Sequence, residues 1–124
     1  MSQPIIVVVD DQSSVCDMIK MMLKDKYETI AFTSGAQAVK YLTSGHKADL
    51  VLLDYDMPDM TGYETLMHIR SEKRHNPDVP IIFVTAITND RMESEMTARG
   101  ANDYIRKPIQ MRELHDCIEK HLRK

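Results

Sequence analysis

Asp10 and Asp54 each follow directly on an apolar run, Asp11 adjoins Asp10, and Thr85 closes another run. Lys107 stands just past a fifth such run. The densest of these stretches is "DLVLLDYDMPDMTGYE", residues 49–64, where Val51, Leu52 and Leu53 are suited to burial and Asp54, Asp56 and Asp59 come next. Taken alone, such a stretch is open to three readings: a nucleophile, a metal cage or an acidic loop. Two carboxylates about 5 Å apart repel by roughly 3 kcal/mol at an effective dielectric of about 20. A trio of them therefore needs positive charge nearby. Lys107 supplies part of it and a divalent cation can supply more. Oxygen-only ligands favour Mg2+ or Mn2+ over thiolate-seeking metals. A carboxylate beside such a cation, an ammonium and a hydroxyl is equipped to accept a phosphoryl group.

These residues come together only if the apolar runs are parallel strands. "PIIVVV" (residues 4–9), "ETIAF" (28–32), "DLVLL" (49–53), "PIIFVT" (80–85) and "DYI" (103–105) are short and largely β-branched, the pattern of strands buried on both faces. Between them lie helical patterns. The first carries Val15, Met18, Ile19 and Met22, with Ser13 and Ser14 available to cap it. Ser34 opens the second, which runs through Ala38, Tyr41 and Leu42 and can stop at Gly45. Thr61 and Glu64 have capping-box spacing at the start of the third. The fourth is weaker, from about Asn89 to Arg99, with Gly100 as its stop and Met92 and Met96 on one face. The fifth sets Met111, Leu114, Ile118 and Leu122 along one side, and its basic end "KHLRK" suits the helix dipole. Five strand–helix repeats imply a parallel sheet covered by helices on both faces. Ligands of such sheets bind beyond the carboxyl ends of the strands, where the acids, Thr85 and Lys107 would lie.

The chain of 124 residues is expected to form one domain over residues 1–124. Hydrophobic residues at 43% and charged residues at 28% match an ordinary globular protein. The formal charge of −3, with no basic block, argues against direct nucleic-acid binding. The longest apolar run, Ile5 to Val9, is too short to insert in a membrane, and Asp10 and Asp11 interrupt any signal-peptide pattern. Cytoplasmic residence is the expectation. Cys16 and Cys117 lack CxxC spacing and read as buried or half-buried thiols. The five histidines lack ligand spacing and are expected at the surface.

In order and spacing, "VVVDDQ", "DLVLLDYDMPDMTGYE", "IIFVTA" and "DYIRKPI" resemble the motifs of the receiver domain of two-component response regulators, over essentially the whole chain. The resemblance implies a flavodoxin-like α/β fold: a doubly wound five-stranded parallel sheet of order 2-1-3-4-5 with five helices. It makes Asp54 the phosphoacceptor, and Asp10 and Asp11 the acidic pair holding Mg2+, with Mn2+ able to substitute. Asp56 would add its backbone carbonyl to the metal shell. Thr85 and Lys107 would contact phosphoryl oxygens, Ala86 would leave their path open, and the Lys107–Pro108 bond is expected to be cis. Tyr104 matches the aromatic switch position.

The implied function is a phosphorylation-dependent signalling switch rather than an enzyme acting on other molecules. A histidine kinase or histidine phosphotransfer protein donates the phosphoryl group, and a downstream protein reads the face made by the fourth helix, fifth strand and fifth helix. Arg91, Met92, Glu95, Met96, Arg99 and Tyr104 are the candidates for that face. A monomer, or a weak dimer linked to phosphorylation, is expected. The chain could equally be a receiver excised from a larger regulator or a hybrid kinase. "LLDYD" also resembles the nucleophile loop of haloacid-dehalogenase-type phosphatases, but Pro58 and the upstream position of the acidic pair depart from that pattern. A flavin site is disfavoured because no Gly-rich or Ser/Thr-rich phosphate loop follows the first strand. A receiver-shaped module that is never phosphorylated is opposed by the complete set of Asp10, Asp11, Asp54, Thr85 and Lys107. Asp56 itself departs from the family, which more often has an uncharged residue there, and its side chain is open to two readings: a solvated loop acid, or a group that changes phosphoryl lifetime.

Overall fold

Alternate residues of each apolar run enter different cores. A computed structural model describes residues 3–72, 74–86 and 90–122, without the side chains of Asp90 and Glu93. Its strands are β1 (Ile5–Val9), β2 (Glu28–Phe32), β3 (Leu50–Asp54), β4 (Ile81–Thr85) and β5 (Asp103–Arg106). They form one parallel sheet in the order β2-β1-β3-β4-β5. The helices are α1 (Ser13–Leu23), α2 (Gly35–Leu42), α3 (Gly62–Ser71), α4 (Asp90–Ala98) and α5 (Met111–Leu122). Architecture and strand order agree with the flavodoxin-like expectation.

The pleat divides the interior. Val7, Val9, Val51, Leu53, Ile81 and Phe83 pack with Ala38, Leu42, Leu66, Ile69 and Met96 from α2, α3 and α4. Ile6, Val8, Leu50, Leu52, Ile82 and Val84 pack with Cys16, Ile19, Leu23, Leu114 and Ile118 from α1 and α5. Strands flanked on both faces cannot spare polar positions, so the runs are continuous rather than alternating.

Local signals set the helix starts unevenly. Thr61 Oγ1 accepts from the Glu64 amide at 3.1 Å, while Glu64 returns a carboxylate to the Thr61 amide at 3.1 Å, so the expected capping box is formed. Ser34 caps α2 through the Gln37 amide at 3.2 Å. Helix α2 ends on a Thr43 cap, two residues before Gly45 takes a left-handed φ of 97°. Gly100, with φ 114°, follows α4 as expected. The serines of α1 do not cap it, because Gln12 occupies the cap position without a side-chain bond. The fourth-helix start expected at Asn89 lies outside the described residues, as do Arg123 and Lys124 of the basic end.

Two apolar assignments change. Met96 is 1% exposed and belongs to the core that the sheet shares with α2 and α3 rather than to a partner face. Met111, in the first turn of α5, is 53% exposed, and the buried stripe begins at Leu114.

Gly62 matters most for the strand ends. A Cβ there would lie 2.5 Å from the Asp54 carbonyl oxygen and 2.7 Å from the Tyr55 Cα. Its amide donates to the Tyr55 carbonyl at 2.9 Å, so α3 starts directly against the end of β3. Arg70 ties the opposite end of the sheet. Its guanidinium donates to the carbonyls of Pro77, Val79 and Gly100 and to Asn102 Oδ1 at 2.6–3.1 Å. Since backbone must move to admit a methyl at Gly62, Gly62→Ala should cost about 1–3 kcal/mol in urea denaturation and disturb Asp54. Wild-type stability in that variant would refute the close approach.

Candidate functional site

The carboxyl ends of β1, β3, β4 and β5 bring the polar residues to one edge of the sheet. Asp10 follows β1 and is 2% exposed, Asp54 ends β3 at 5%, and Thr85 ends β4, also buried. Asp11 is exposed beside them. One carboxylate oxygen from each of Asp10, Asp11 and Asp54 lies within 4.8 Å of the others.

Lys107 closes the cluster. Its Nζ is 3.2 Å from Asp10 Oδ2 and 3.6 Å from Asp54 Oδ1, with 27% of the side chain exposed. The Lys107 amide donates to the Thr85 carbonyl at 2.8 Å, so the β4 and β5 ends are joined through backbone as well. The Lys107–Pro108 bond is cis, as expected. Backbone amides add smaller contributions: Gln12 N–H donates to Asp10 Oδ1 at 2.9 Å and Asp56 N–H to Asp54 Oδ1 at 3.3 Å. Tyr55 meets Phe83 edge-on at 5.1 Å, which packs the residue after Asp54 against β4.

The electrostatics follow from this crowding. Burial, then the Asp10 charge, push the Asp54 carboxyl up to about 6 against the opposing pull of Lys107. Burial works against the Lys107 charge, yet Asp54 and Asp10 outweigh it and hold the ammonium above its usual range. One ammonium thus leaves the carboxylates under-compensated. The remaining donors are oxygens with Asp11 accessible to solvent, which suits a hard divalent cation such as Mg2+.

The sequence-based candidates divide into those brought together and those set apart. Asp10, Asp11, Asp54 and Lys107 share one cluster, with Thr85 tied to Lys107 through its carbonyl. The Asp56 side chain is exposed and its amide faces Asp54. Asp59 lies in the exposed loop. Tyr104, half-buried on β5, packs on the core shared by α2, α3 and α4. Gly62 was not singled out from sequence, although a glycine opening a capped helix soon after an acidic strand end is the signal that could have found it. Three histidines also depart from a surface role: His75, His115 and His121 are half-buried, and His121 contacts Asp103. Among the described residues, no helix is long and apolar enough to cross a membrane.

Comparison with known proteins gives a consistent result. Residues 6–119 match the family model described as the response regulator receiver domain. A transcriptional regulatory protein, YvrH of Bacillus subtilis, is 37% identical over 120 residues, covering 96% of this chain and 49% of its own length. A probable cyclic di-GMP phosphodiesterase of Vibrio cholerae is 34% identical, covering 98% of this chain and 27% of the relative. The chain thus spans about half or less of these curated relatives. Among solved structures, the receiver domain of the sensor histidine kinase PA1611 from Pseudomonas aeruginosa, with magnesium coordinated in its active-site cleft, superposes with a TM-score of 0.89 at 27% identity. That match covers 99% of this chain and 100% of the other.

The buried charge has a measurable cost. A carboxyl whose folded pKa is raised destabilises the fold as pH climbs past its unfolded value, and the penalty is complete above the folded one. From 3.8 to about 6 for Asp54, this amounts to roughly 3 kcal/mol at neutral pH. Asp54→Asn, which keeps a buried polar group, should recover about 1–2 kcal/mol, a rise of about 4–8 °C in metal-free Tm. The same variant should lose most of the stabilisation by Mg2+. Scanning calorimetry with and without Mg2+ checks both effects, and no change in either would contradict this electrostatic account.

Proposed function

Because the chain belongs to the response regulator receiver domain family of two-component systems, we propose that Asp54 accepts a phosphoryl group from a phosphohistidine and that the modified domain alters partner binding. The donor is a histidine kinase or a histidine phosphotransfer protein. The observation that carries this reading is Lys107 Nζ lying 3.2 Å from Asp10 and 3.6 Å from Asp54, two carboxylates buried at neighbouring strand ends. A purely structural ion pair would need one acid, not a buried pair plus Asp11.

In the transfer step an Asp54 carboxylate oxygen attacks phosphorus, the phosphorus–nitrogen bond breaks, and its electron pair returns to the donor imidazole. Lys107 offsets the charge on the phosphoryl oxygens, and the Thr85 hydroxyl donates to one of them. Asp10, Asp11 and Asp54, with the Asp56 carbonyl, would hold Mg2+, which supplies further charge neutralisation when bound; Mn2+ meets the same oxygen chemistry. The small Ala86 leaves the approach past Thr85 open. Chemistry is confined to the domain's own acyl phosphate, with water as the acceptor in hydrolysis.

Phosphorylation then competes for Lys107. The new oxygens draw on the ammonium now shared by Asp10 and Asp54, and the Lys107 amide is bonded to the Thr85 carbonyl. Motion of Thr85 is therefore felt at the end of β5, where Thr85 pairs with Arg106 and Phe83 with Tyr104. We place the switch on Thr85 and Tyr104, and the readout on the α4–β5–α5 face. With Met96 buried, its candidate contacts are Arg91, Met92, Glu95, Arg99 and Tyr104. Arg91 pairs with Glu95 at 3.4 Å, and Arg99 stacks over the Tyr63 ring at 4.4 Å. A few kcal/mol between two arrangements suffices for a switch.

Incubation with Mg2+ and a small-molecule phosphodonor, followed by intact mass measurement, should show a single phosphoryl addition that Asp54→Asn abolishes. Lys107→Ala should slow the addition at least about tenfold, the loss of one charge-stabilising contact. Continuous turnover of a phosphoester would instead favour a phosphatase. For the exposed Asp56 side chain, dephosphorylation of Asp56→Asn should differ from wild type by several-fold, and equal rates would remove that residue from the mechanism.

A further inference from the structure

A second cluster lies at the other end of β5. Asp103 begins that strand, and Cys117 and His121 stand four residues apart on α5, so both project from one helix face. Cys117 Sγ is 3.6 Å and His121 Nε2 is 2.8 Å from Asp103 Oδ2, and one ligand atom from each of the three lies within 4.8 Å of the others. Asp103 and Cys117 also line a surface cavity of about 580 Å³, shared with Tyr104, Glu113, Asp116 and Lys120. This opening would admit an ion with its remaining water.

We propose that Asp103, Cys117 and His121 form a binding site for a borderline transition-metal ion of the Zn2+ class, tying the start of β5 to the last turns of α5. Mixed sulfur, nitrogen and oxygen donors match Zn2+ and disfavour Mg2+ or Ca2+. Tetrahedral zinc with bonds of about 2.0–2.3 Å sets its nitrogen and oxygen ligands about 3.3 Å apart and sulfur and oxygen about 3.6 Å apart. The sulfur–oxygen separation already fits, and the nitrogen–oxygen pair must open by about 0.5 Å. The cavity beside Asp103 and Cys117 leaves room for water as a fourth ligand.

The protons balance as follows. An ionised carboxylate only accepts, so Nε2 of His121 carries the hydrogen in its 2.8 Å contact. On metal binding that hydrogen moves to Nδ1 through solvent and the Nε2 lone pair binds the ion. The Cys117 S–H bond gives its proton to solvent, and a sulfur–metal bond forms. Without metal, burial followed by the Asp103 charge pushes the Cys117 thiol up to about 12, so it is protonated. Burial alone would raise the Asp103 carboxyl, but hydrogen bonds from His121, the Tyr104 amide and Cys117 outweigh it and hold it low. The carboxylate is thus already ionised. Lys120 Nζ, 3.9 Å from Asp103 Oδ2 and largely exposed, is the competing cation and can swing into solvent.

The test uses the full chain in excess Mg2+, which fills the oxygen site at Asp54, and titrates it with Co2+ as a spectroscopic stand-in for Zn2+. One equivalent should produce thiolate-to-cobalt charge-transfer absorption with intense tetrahedral d–d bands, and Zn2+ should displace them. Cys117→Ser should abolish the charge transfer, His121→Ala should weaken binding at least about tenfold, and Cys16→Ala should leave the spectrum intact. Absence of charge transfer, or its persistence in Cys117→Ser, overturns the proposal. A lack of phosphorylation at Asp54 would leave these spectra unchanged, so this site and the phosphoacceptor stand or fall separately.

Discussion

Two carboxylates buried side by side, with one ammonium between them, set the terms for the rest of this structure. Asp10 and Asp54 are almost fully withdrawn from water, and Lys107 reaches both. Burial removes the hydration that would stabilise the anions, and each anion raises the cost of the other. The ammonium offsets part of this and no more, which leaves a site in want of positive charge. The same shortage that lowers stability makes the cluster chemically suited to a divalent cation and underlies the proposed role of Asp54 as phosphoryl acceptor. On that proposal, function and instability have one electrostatic origin.

Holding charges in that arrangement requires a rigid frame, and the two cores supply it. Strands β1, β3 and β4 are apolar on both faces, so neither slides without burying a polar residue. Asp54 therefore meets the strand end at a fixed height, with Tyr55 and Phe83 packed behind it. Gly62 lets α3 begin against the same backbone. Lys107 comes from the far end of the chain, yet its amide is bonded to Thr85, so charge and backbone converge on the same junction. A short run of contacts thereby links Asp54, through Lys107 and Thr85, to the end of β5.

Where sequence reading and structure part, the cause is tertiary. Met92 and Met96 share a helical face with little other apolar support, which suggests a docking surface. Packing of α4 against the sheet nevertheless buries Met96 in the core. Met111 fits the stripe of α5 by spacing but is exposed in the first turn, and burial begins at Leu114. Cys117 and His121 show no ligand motif on their own, because their third partner, Asp103, is on a strand. Arg70 is one basic residue among many until the chain folds its guanidinium onto four acceptors around β4 and β5.

By itself the sequence determined the elements, their order and which candidate residues would meet at the strand ends. These depend on neighbours in the chain: β-branched runs, the Ser34 cap, the Thr61–Glu64 pair, and acids placed where strands stop. A parallel sheet fed by such repeats has few available topologies, so even the edge that gathers the acids, Thr85 and Lys107 was implied. Only the tertiary structure decided the distances between residues 10, 54 and 107, the share of charge Lys107 carries, and the burial of Met96. Those quantities depend on desolvation and on contacts across the sheet, and no local pattern encodes the dielectric around a buried carboxylate.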